Sequence, residues 1–526
     1  MSRKNIERPM YWFGLLLLAN LTAACAAYSE PLAADPSAKP IRDHKVSDLF
    51  IPQDMGAISE IHAEPAPNAS QRQRVLFLIQ DAHVNYEGQK NLAKILDKLA
   101  QDYGIRLILV EGGEGNMSLS YLREWSDPEE LKTIAAAYLE SGAISGEEYL
   151  DLTSERDLLL WGIEDKKLYD QNFEIFLEVE RVRSEIQPDL QQMQAALAQL
   201  LPKVMSPAYL SLEKARNDFD AGSLSLKEYT ALLVKEADRL GIDHSAYPEF
   251  NRYAALTKSE AGLDLKVIAD EQRRLAEVLN GKATAAEVSA LAEISKKLQA
   301  SQTDKLAFYS ELERLAKSYA VNLADYPAFT SYLAYLKEVR SIKVKQLWAH
   351  LEALAEALQK ALAKTPEQAR LMQIAKGMEQ FDRLMRLKWM PADYRLYKES
   401  ADAWQPSRWV EDVKADLAQA GLDVPLPLHP ERLDAALART VRFYEAAYAR
   451  DAAMAERTVR VMADEQESMA ALVVGGFHSE SLGKRFVEQG IKVVVITPRV
   501  SPEQDSARYS EILKLSNGVA IKEPVQ

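Results

Sequence analysis

The sequence predicts an α/β fold in which a small, mostly parallel sheet core with flanking helices is interrupted by a long all-α insertion. Two observations lead to this prediction. Short apolar runs, typical of strands buried on both faces, occur between residues 75 and 163 and again between 471 and 497. From about 170 to 465 the chain instead shows helical periodicity, with few glycines. A sheet pattern that stops and later resumes implies one core with a helical domain inserted into it.

Five apolar runs are predicted to be the strands of this sheet: residues 75–79, 106–110, 158–163, 471–475 and 492–497. A helix pattern separates the first two, with an apolar face formed by Leu92, Ile95, Leu96, Leu99 and Tyr103. Strand, helix and strand within about 35 residues form a βαβ unit, so these strands should be parallel. A second helix, at 479–489 and closed by Gly490, separates the last two strands.

The chain divides into six predicted segments: a signal peptide at 1–27, a Pro-rich tether at 28–70, the first half of the α/β core at 71–180, a helical insertion at 181–440, the second half of the core at 441–500 and a C-terminal tail at 501–526. The insertion contains a two-copy repeat, because the Tyr-Pro-x-Phe pattern at Tyr247 returns at Tyr326, 326 − 247 = 79 residues later. The repeated aromatic side chains are predicted to form hairpin core. Capping boxes predict helix starts at Ser145 and Ser225.

The N-terminus has the pattern of a secretory signal. Arg3, Lys4 and Arg8 form a basic start, and an apolar stretch covers roughly residues 10–24. Cys25, the single cysteine, allows two interpretations. It is lipidated in a sequence that resembles a bacterial lipoprotein box, or it is removed at an A-x-A cleavage site. The protein is therefore expected in the periplasm or as a membrane-anchored lipoprotein of the cell envelope, touching the membrane only through that anchor.

The net charge argues against one class of partner. The chain has 64 Lys and Arg against 78 Asp and Glu, so its formal charge is 64 − 78 = −14. Because an acidic surface repels phosphate backbones, nucleic acid is not expected as a partner. A peptide or a small-molecule substrate is expected instead.

Polar residues follow the apolar runs at the carboxyl ends of the predicted strands, the edge where open parallel sheets bind ligands. They are Asp81 and His83 after the first strand, Glu111 and Glu114 after the second, Glu164 after the third and His478 after the fourth. Imidazole and carboxylate ligands suit a divalent metal such as manganese, cobalt or zinc. A bound metal would lower the pKa of a water whose proton a spare carboxylate could take. The alternatives are structural: Asp81 caps a helix, Glu114 is solvated, and the histidines pack.

One of these stretches resembles a known group of proteins. Residues 81–89, together with Glu111 at the end of the next strand, look like the first motif of the ChaN and erythromycin-esterase-like proteins. In that motif a glycine, a glutamate, any residue and a histidine end a strand. Gln80 stands where the glycine is usual, and Asp81 stands where many members carry glutamate. The acid function is kept, whereas the turn geometry is expected to differ.

Two later stretches resemble the same broad superfamily, which includes the Tiki and TraB/GumN proteins. Residues 475–478 are similar to its C-terminal glycine-x-x-histidine, and residues 450–455 are similar to the arginine-bearing helix that precedes it in Tiki-like members. The resemblance implies that Arg450 lies near the site as a charge partner. It covers roughly 71–170 and 445–500, and the helical insertion has no counterpart in it.

The resemblance implies several functions. Tiki members are metal-dependent proteases, erythromycin esterases hydrolyse a lactone, and ChaN-like members bind haem at the membrane. The first hypothesis is therefore a metal-dependent hydrolase of peptide or ester bonds in the cell envelope. One alternative is a haem- or metal-binding envelope lipoprotein without catalysis. Another is a helical interaction protein built on an inactive α/β core.

The hydrolase hypothesis assigns a role to each polar residue of the sheet edge. The expected catalytic residues are Glu111, Glu114 and Arg450. The histidines would bind the ion or orient the reacting water, with the carboxylates in support, so the expected metal ligands are His83, His478, Asp81 and Glu164. Cys25 is the expected lipidation site.

Overall fold

The computed structural model describes residues 49–52, 54–62, 74–83, 85–299 and 305–500. They belong to two compact units. The second unit comprises Pro52–Asp54 and Asp170–Tyr448, and the first comprises the rest of the chain. The predicted signal peptide, Cys25 and the C-terminal tail lie outside the described residues.

The described residues of the first unit form a seven-stranded, mostly parallel sheet, which together with the helical insertion confirms the predicted fold class. Its strands are β1 Gly56–His62, β2 Val75–Asp81, β3 Leu107–Val110, β4 Glu114–Asn116, β5 Leu159–Ile163, β6 Met469–Gly475 and β7 Lys492–Pro498. They lie in the order β1-β7-β2-β6-β3-β5-β4, with β1 and β4 as antiparallel edge strands and the other five parallel. Strand β6 therefore lies between β2 and β3, although it follows β2 by 469 − 81 = 388 positions.

The α-helices of the described residues belong to both units. In chain order they are α1 Tyr86–Tyr103, α2 Pro128–Ser141, α3 Gly146–Thr153, α4 Lys166–Val204, α5 Pro207–Asp220, α6 Leu226–Leu240, α7 Pro248–Glu260, α8 Leu265–Asn280, α9 Ala285–Gln299, α10 Lys305–Ser318, α11 Pro327–Ser341, α12 Val344–Leu362, α13 Pro366–Met385, α14 Pro391–Glu399, α15 Pro406–Gln419, α16 Glu431–Asp464 and α17 Gly476–Glu488. The chain leaves the first unit within α4 and re-enters it within α16. No helix in the described part of the chain is long and apolar enough to span a membrane.

Helices cover both faces of the sheet because successive strand residues point to opposite sides. Phe77 and Ile79 of β2 belong to an apolar core formed with α1 and α3. Leu76 and Leu78 belong to a second core, formed with α16 and α17. All four side chains are fully buried, as expected for a strand whose sequence is continuously apolar. This packing fixes where the carboxyl end of β2 lies.

The described residues of the second unit form helices joined by loops, with no strand among them, and its repeat is visible in the structure. Helices α7 and α11 both begin with a proline at the first helical position, where the missing N–H costs nothing. Phe250 and Phe329, at equivalent positions of the two copies, are fully buried. The repeated aromatic residues therefore include core positions, as the sequence predicts.

Three elements differ from the sequence-based expectations. Residues 56–62, inside the stretch predicted to be a tether, form β1 and pair with β7. The short strand β4 was not predicted, and it pairs with β5. Helix α17 begins at Gly476, three residues earlier than expected, so His478 lies in the first turn of a helix and not in a loop.

Candidate active site

The sheet order brings the predicted polar residues to one edge. Strands β2 and β6 pair in parallel with Asp81 opposite Gly475, and β3 pairs with the other side of β6. The residues that follow these three strands are therefore neighbours, although they come from distant parts of the chain. His83 follows β2, His478 follows β6, and Glu111 follows β3.

Asp81 and His83 form the first pair of this cluster. The Nδ1 atom of His83 lies 2.7 Å from Oδ2 of Asp81, and the backbone N–H of His83 donates to Oδ1 at 2.8 Å. His83 has a φ of 44°, in the left-handed region that L-residues rarely adopt. Asn85 caps helix α1 by accepting from the Gly88 N–H, so the alternative in which Asp81 is the helix cap is wrong.

The Asp81–His83 pair favours the charged imidazole. Burial opposes this form, but the charge of Asp81, its hydrogen bond and the charge of Glu111 outweigh burial and raise the pKa of His83 to about 9. The pKa of Asp81 is lowered in turn, since His83 overcomes the opposing effect of burial. The side chain of His83 is 39% exposed, against 8% for His478. Of the two imidazoles, His83 is therefore the one that solvent reaches.

His478 forms the second imidazole–carboxylate pair. Its Nδ1 donates to Oδ1 of Asp451 at 2.5 Å, and its Nε2 lies 3.2 Å from Oε1 of Glu111. Burial lowers the proton affinity of His478, but the charge of Glu111 and the hydrogen bonds to Asp451 and Glu111 raise its pKa to about 10. At neutral pH both ring nitrogens of His478 are thus donors to carboxylates.

Glu111 lies at the centre of the cluster and accepts from three directions. Arg450 Nη2 is 2.9 Å from its Oε1, the Gly475 N–H donates to its Oε2 at 2.8 Å, and His478 approaches Oε1 from the side of α17. Burial acts against ionisation, but His478, Arg450 and His83 together hold the pKa of Glu111 well below its usual value. Glu111 is therefore a fixed carboxylate and a weak base.

Arg450 joins Glu111 to Glu164. Its Nε donates to Oε2 of Glu164 at 3.3 Å, and its Nη2 also donates to Oε1 of Glu164. The side chains of Arg450 and Glu164 are 8% and 2% exposed, so this is a buried ion pair. The guanidinium also lies 5.2 Å from the ring centroid of Tyr169. The predicted closeness of Arg450 to the sheet edge is what the structure shows.

Glu114 lies in a different ion pair. Its half-exposed carboxylate is 2.7 Å from Nη1 of Arg457, and Arg457 Nη2 is 3.1 Å from Asp165. This surface pair accounts for Glu114 without a contact to the two imidazoles. The structure thus gathers six of the seven predicted side chains into the cluster, and it places Glu114 in the neighbouring pair.

Two buried residues of the site were missed by sequence reasoning. Asp451 is fully buried against His478, and Gln89 is 2% exposed and donates to Asp81 at 2.6 Å. Both fall within stretches that carry the family resemblance, directly after Arg450 and at the end of residues 81–89. Nothing in their local sequence marks them, because helical polar residues are usually solvated.

Several donors of the cluster are engaged with one another. Across the residues that the structure describes, no group of three or more His, Cys, Asp or Glu side chains is arranged to hold one. A ligating imidazole nitrogen must be unprotonated, whereas both nitrogens of His478 are engaged with carboxylates, and Glu164 is paired with Arg450. The metal centre stays a prediction.

Comparisons of the chain with protein-family models, with curated proteins and with solved structures found no match. The resemblance to the Tiki, TraB/GumN, ChaN and erythromycin-esterase-like proteins therefore rests on the short motifs alone and stays a prediction.

Proposed function

We propose that this chain is a hydrolase of ester or peptide bonds in which His83 is the acid–base residue. One observation carries the proposal. Three separate stretches of chain, ending β2, β3 and β6, deliver two carboxylate-paired imidazoles and a fixed carboxylate to one sheet edge. Ionisable groups with shifted pKa values concentrate at functional sites. The carboxyl ends of the strands are also the edge at which open parallel sheets bind their ligands.

His83 is the reacting group because of its exposure and its hydrogen bonding. Asp81 contacts Nδ1 and so fixes the orientation of the ring, and the proposal assigns the proton transfer to Nε2. A Cβ atom built on Gly475 would lie 3.2 Å from Nε2, so the absence of a side chain there gives Nε2 its space. In the hydrolytic step, neutral Nε2 takes a proton from the attacking water. The imidazolium then returns this proton to the leaving group.

The buried residues act through His83. Glu111 raises the pKa of His83 and is itself held by Arg450, His478 and the Gly475 N–H. This proposal changes the sequence-based assignment, in which Glu111 and Arg450 are catalytic. Glu111 is a positioning residue here because its low pKa makes it a weak base. Arg450 is also a positioning residue, because its guanidinium is already paired with the carboxylates of Glu111 and Glu164.

The proposal predicts an alkaline pH profile. Since the pKa of His83 is about 9, the neutral form that accepts the proton is a minor species at pH 7. The value of kcat/KM is expected to rise about tenfold per pH unit up to about pH 9 and then to level off.

The test measures hydrolysis of p-nitrophenyl acetate and of fluorescein-labelled casein by the wild type, His83→Gln and His62→Gln. His62 is an exposed histidine of β1 whose partner is Glu60, so it is a matched control in the same unit. We expect His83→Gln to lose about 100-fold or more in kcat/KM, and His62→Gln to keep wild-type activity. Activity of His83→Gln within about threefold of the wild type would refute the assignment.

The same preparation tests the metal and haem alternatives. Activity that survives dialysis against a chelator supports chemistry carried by the protein groups. Activity that is lost and then restored by manganese, cobalt or zinc supports the metal-dependent version. A haem absorbance change that His83→Gln abolishes would favour the binding lipoprotein.

We also infer export to the cell envelope, on the strength of the basic and apolar N-terminus. Mass spectrometry of the mature chain from a membrane fraction, with Cys25→Ser as the comparison, distinguishes a lipidated cysteine from a removed one. A mature chain that still carries residues 1–24 would refute the inference.

A further inference from the structure

The side chain of Gln89 connects the His83 turn to the neighbouring helices. Gln89 lies in the first turn of α1 and is 2% exposed. Its Nε2 donates to Oδ1 of Asp81 at 2.6 Å and also to the carbonyl oxygen of His83. Its Oε1 accepts from the Gly146 N–H at 2.6 Å. One buried amide thus touches both members of the Asp81–His83 pair and the start of α3.

The partners of this amide fix its orientation. Nε2 faces two acceptors, a carboxylate oxygen and a carbonyl oxygen, whereas Oε1 faces a backbone N–H donor. A flipped amide would place Oε1 of Gln89 against both acceptors and its N–H groups against a donor, so it would lose all three bonds. Only an amide at this position satisfies every partner at once.

The turn that Gln89 holds is one that the chain does not favour by itself. His83 is in the left-handed region, with a φ of 44°, where an L side chain is crowded. Gln89 anchors the carbonyl of His83, and Asp81 accepts from the His83 N–H. Together these bonds determine the direction in which the imidazole leaves the backbone.

The far side of Gln89 is a rigid support. Helix α3 begins at Gly146 and is fixed by a capping box between Ser145 and Glu148. A Cβ on Gly146 would come within 2.3 Å of the Gln89 carbonyl oxygen, so the start of α3 lies directly against the backbone of α1. Because the Gln89 side chain is bonded to this fixed helix start, it restricts movement of the His83 turn.

We propose that Gln89 is the positioning residue that holds His83 in its left-handed turn and in contact with Asp81. The consequence for catalysis rests on the proposed function, whereas the consequence for the imidazole does not. A substitution at Gln89 removes none of Asp81, Glu111 and His478, the charged groups that shift the pKa of His83, so a change in the imidazole signal reports a change in their distances from the ring.

The experiment compares Gln89→Met with Asn91→Met by NMR titration of protein labelled selectively on its seven histidines. Asn91 is the matched control, since it is also a buried amide of α1 and donates to a backbone carbonyl, that of Arg499, at 2.9 Å. The His83 and His478 signals are assigned with His83→Gln and His478→Gln. Hydrolysis of p-nitrophenyl acetate is followed over the same pH range.

In Gln89→Met we expect the pKa of His83 to fall from about 9 toward the ordinary 6.5, because the turn relaxes and the contact with Asp81 is lost. The His478 signal should keep its wild-type position, which shows that the sheet edge is folded. Asn91→Met should leave both signals unchanged. In Gln89→Met, kcat/KM for p-nitrophenyl acetate should begin to level off at a lower pH than in the wild type and should reach a lower plateau. Asn91→Met should show neither change.

An unchanged His83 signal in Gln89→Met would overturn the inference. So would a loss of the His478 signal together with that of His83, because Gln89 would then support the fold in general and not one turn. If His83 moves as expected but the wild type hydrolyses neither test substrate, the inference about Gln89 stands and the hydrolase proposal fails. If the wild type hydrolyses a test substrate but the pKa of His83 is unchanged in Gln89→Met, the inference about Gln89 fails and the hydrolase proposal stands.

Discussion

Removing the imidazole of His478 should make the stability of the α/β unit less dependent on pH. The pKa of His478 is raised in the folded protein to about 10, from an ordinary 6.5. A group whose pKa is raised on folding stabilises the folded state fully below its unfolded pKa, and this stabilisation is lost as the pH rises through the folded pKa. The wild type should therefore lose stability between pH 6.5 and about 10, and His478→Gln should not lose this part.

The size of the effect follows from these two pKa values. Each tenfold difference in proton affinity is worth about 1.4 kcal/mol, so the full contribution of His478 is roughly 5 kcal/mol at low pH. The same relation gives a loss of roughly 3 kcal/mol between pH 6.5 and pH 9. Breaking a buried ion pair by removing one partner costs about 3–5 kcal/mol, which is of the same size.

Hydrogen exchange of peptides from β6 is the appropriate assay, since exchange of this central strand reports the opening of the α/β unit and not of the helical one. The wild type and His478→Gln are compared at the same pH, so the intrinsic exchange rate cancels. His62→Gln is the control, because the same substitution at an exposed histidine should give a small difference at every pH.

At pH 6.5 the free energy of opening should be larger for the wild type than for His478→Gln. We expect this difference to decrease by roughly 3 kcal/mol from pH 6.5 to pH 9. A difference that stays constant within about 0.5 kcal/mol over this range would show that His478 is not held as an imidazolium between its carboxylates. Glu111 could then no longer be regarded as a carboxylate fixed by this imidazolium.

Three further predictions concern other residues at or near the same edge of the sheet. Gly475→Ala should lower kcat/KM on p-nitrophenyl acetate about tenfold or more, because the added methyl displaces the reacting imidazole, while Gly476→Ala, whose Cβ has open space, should stay within about twofold. Arg450→Met should lower the free energy of unfolding in urea by about 3–5 kcal/mol because it leaves the buried carboxylate of Glu164 without its ion-pair partner, whereas Arg457→Met, which breaks more exposed ion pairs, should cost about 1 kcal/mol or less. Burial and the charge of Asp81 raise the pKa of Glu147 to about 8, so above that pH the folded protein carries a buried, ionised carboxylate at this position. Glu147→Gln avoids this charge, and its free energy of unfolding should exceed that of the wild type by about 1 kcal/mol or more at pH 9. Equal stabilities at pH 9, equal losses for the two arginine variants, or equal activities for the two glycine variants would each contradict the corresponding prediction.

The inner strands could be predicted from the sequence because a strand buried on both faces must be apolar at every position. The residues after them could be predicted to meet because the carboxyl ends of parallel strands share an edge. Asp81, His83, Glu111 and His478 do meet there. Strand β1 could not be found in this way, since only one of its edges is paired and its sequence includes the charged residue Glu60.

The partners of the imidazoles could not be predicted, for a different physical reason. Asp451 and Gln89 lie on helices, where a polar residue is normally solvated, and only the packing of α16 and α1 against the sheet buries them. Their importance depends on contacts between elements that are distant along the chain. The protonation state of His83 could not be predicted either, because it depends on the distances to Asp81 and Glu111.

The central position of β6 has a consequence for synthesis. A ribosome makes β2 and β3 long before β6, and until β6 emerges the two early strands have no partner between them. Until then β2 lacks both of its partners, β6 and β7, and β3 lacks β6, so these unpaired strand edges invite pairing with other chains. A product truncated before residue 469 would lack not only His478 but also the strand that joins the two halves of the sheet, so an incomplete molecule cannot assemble the site.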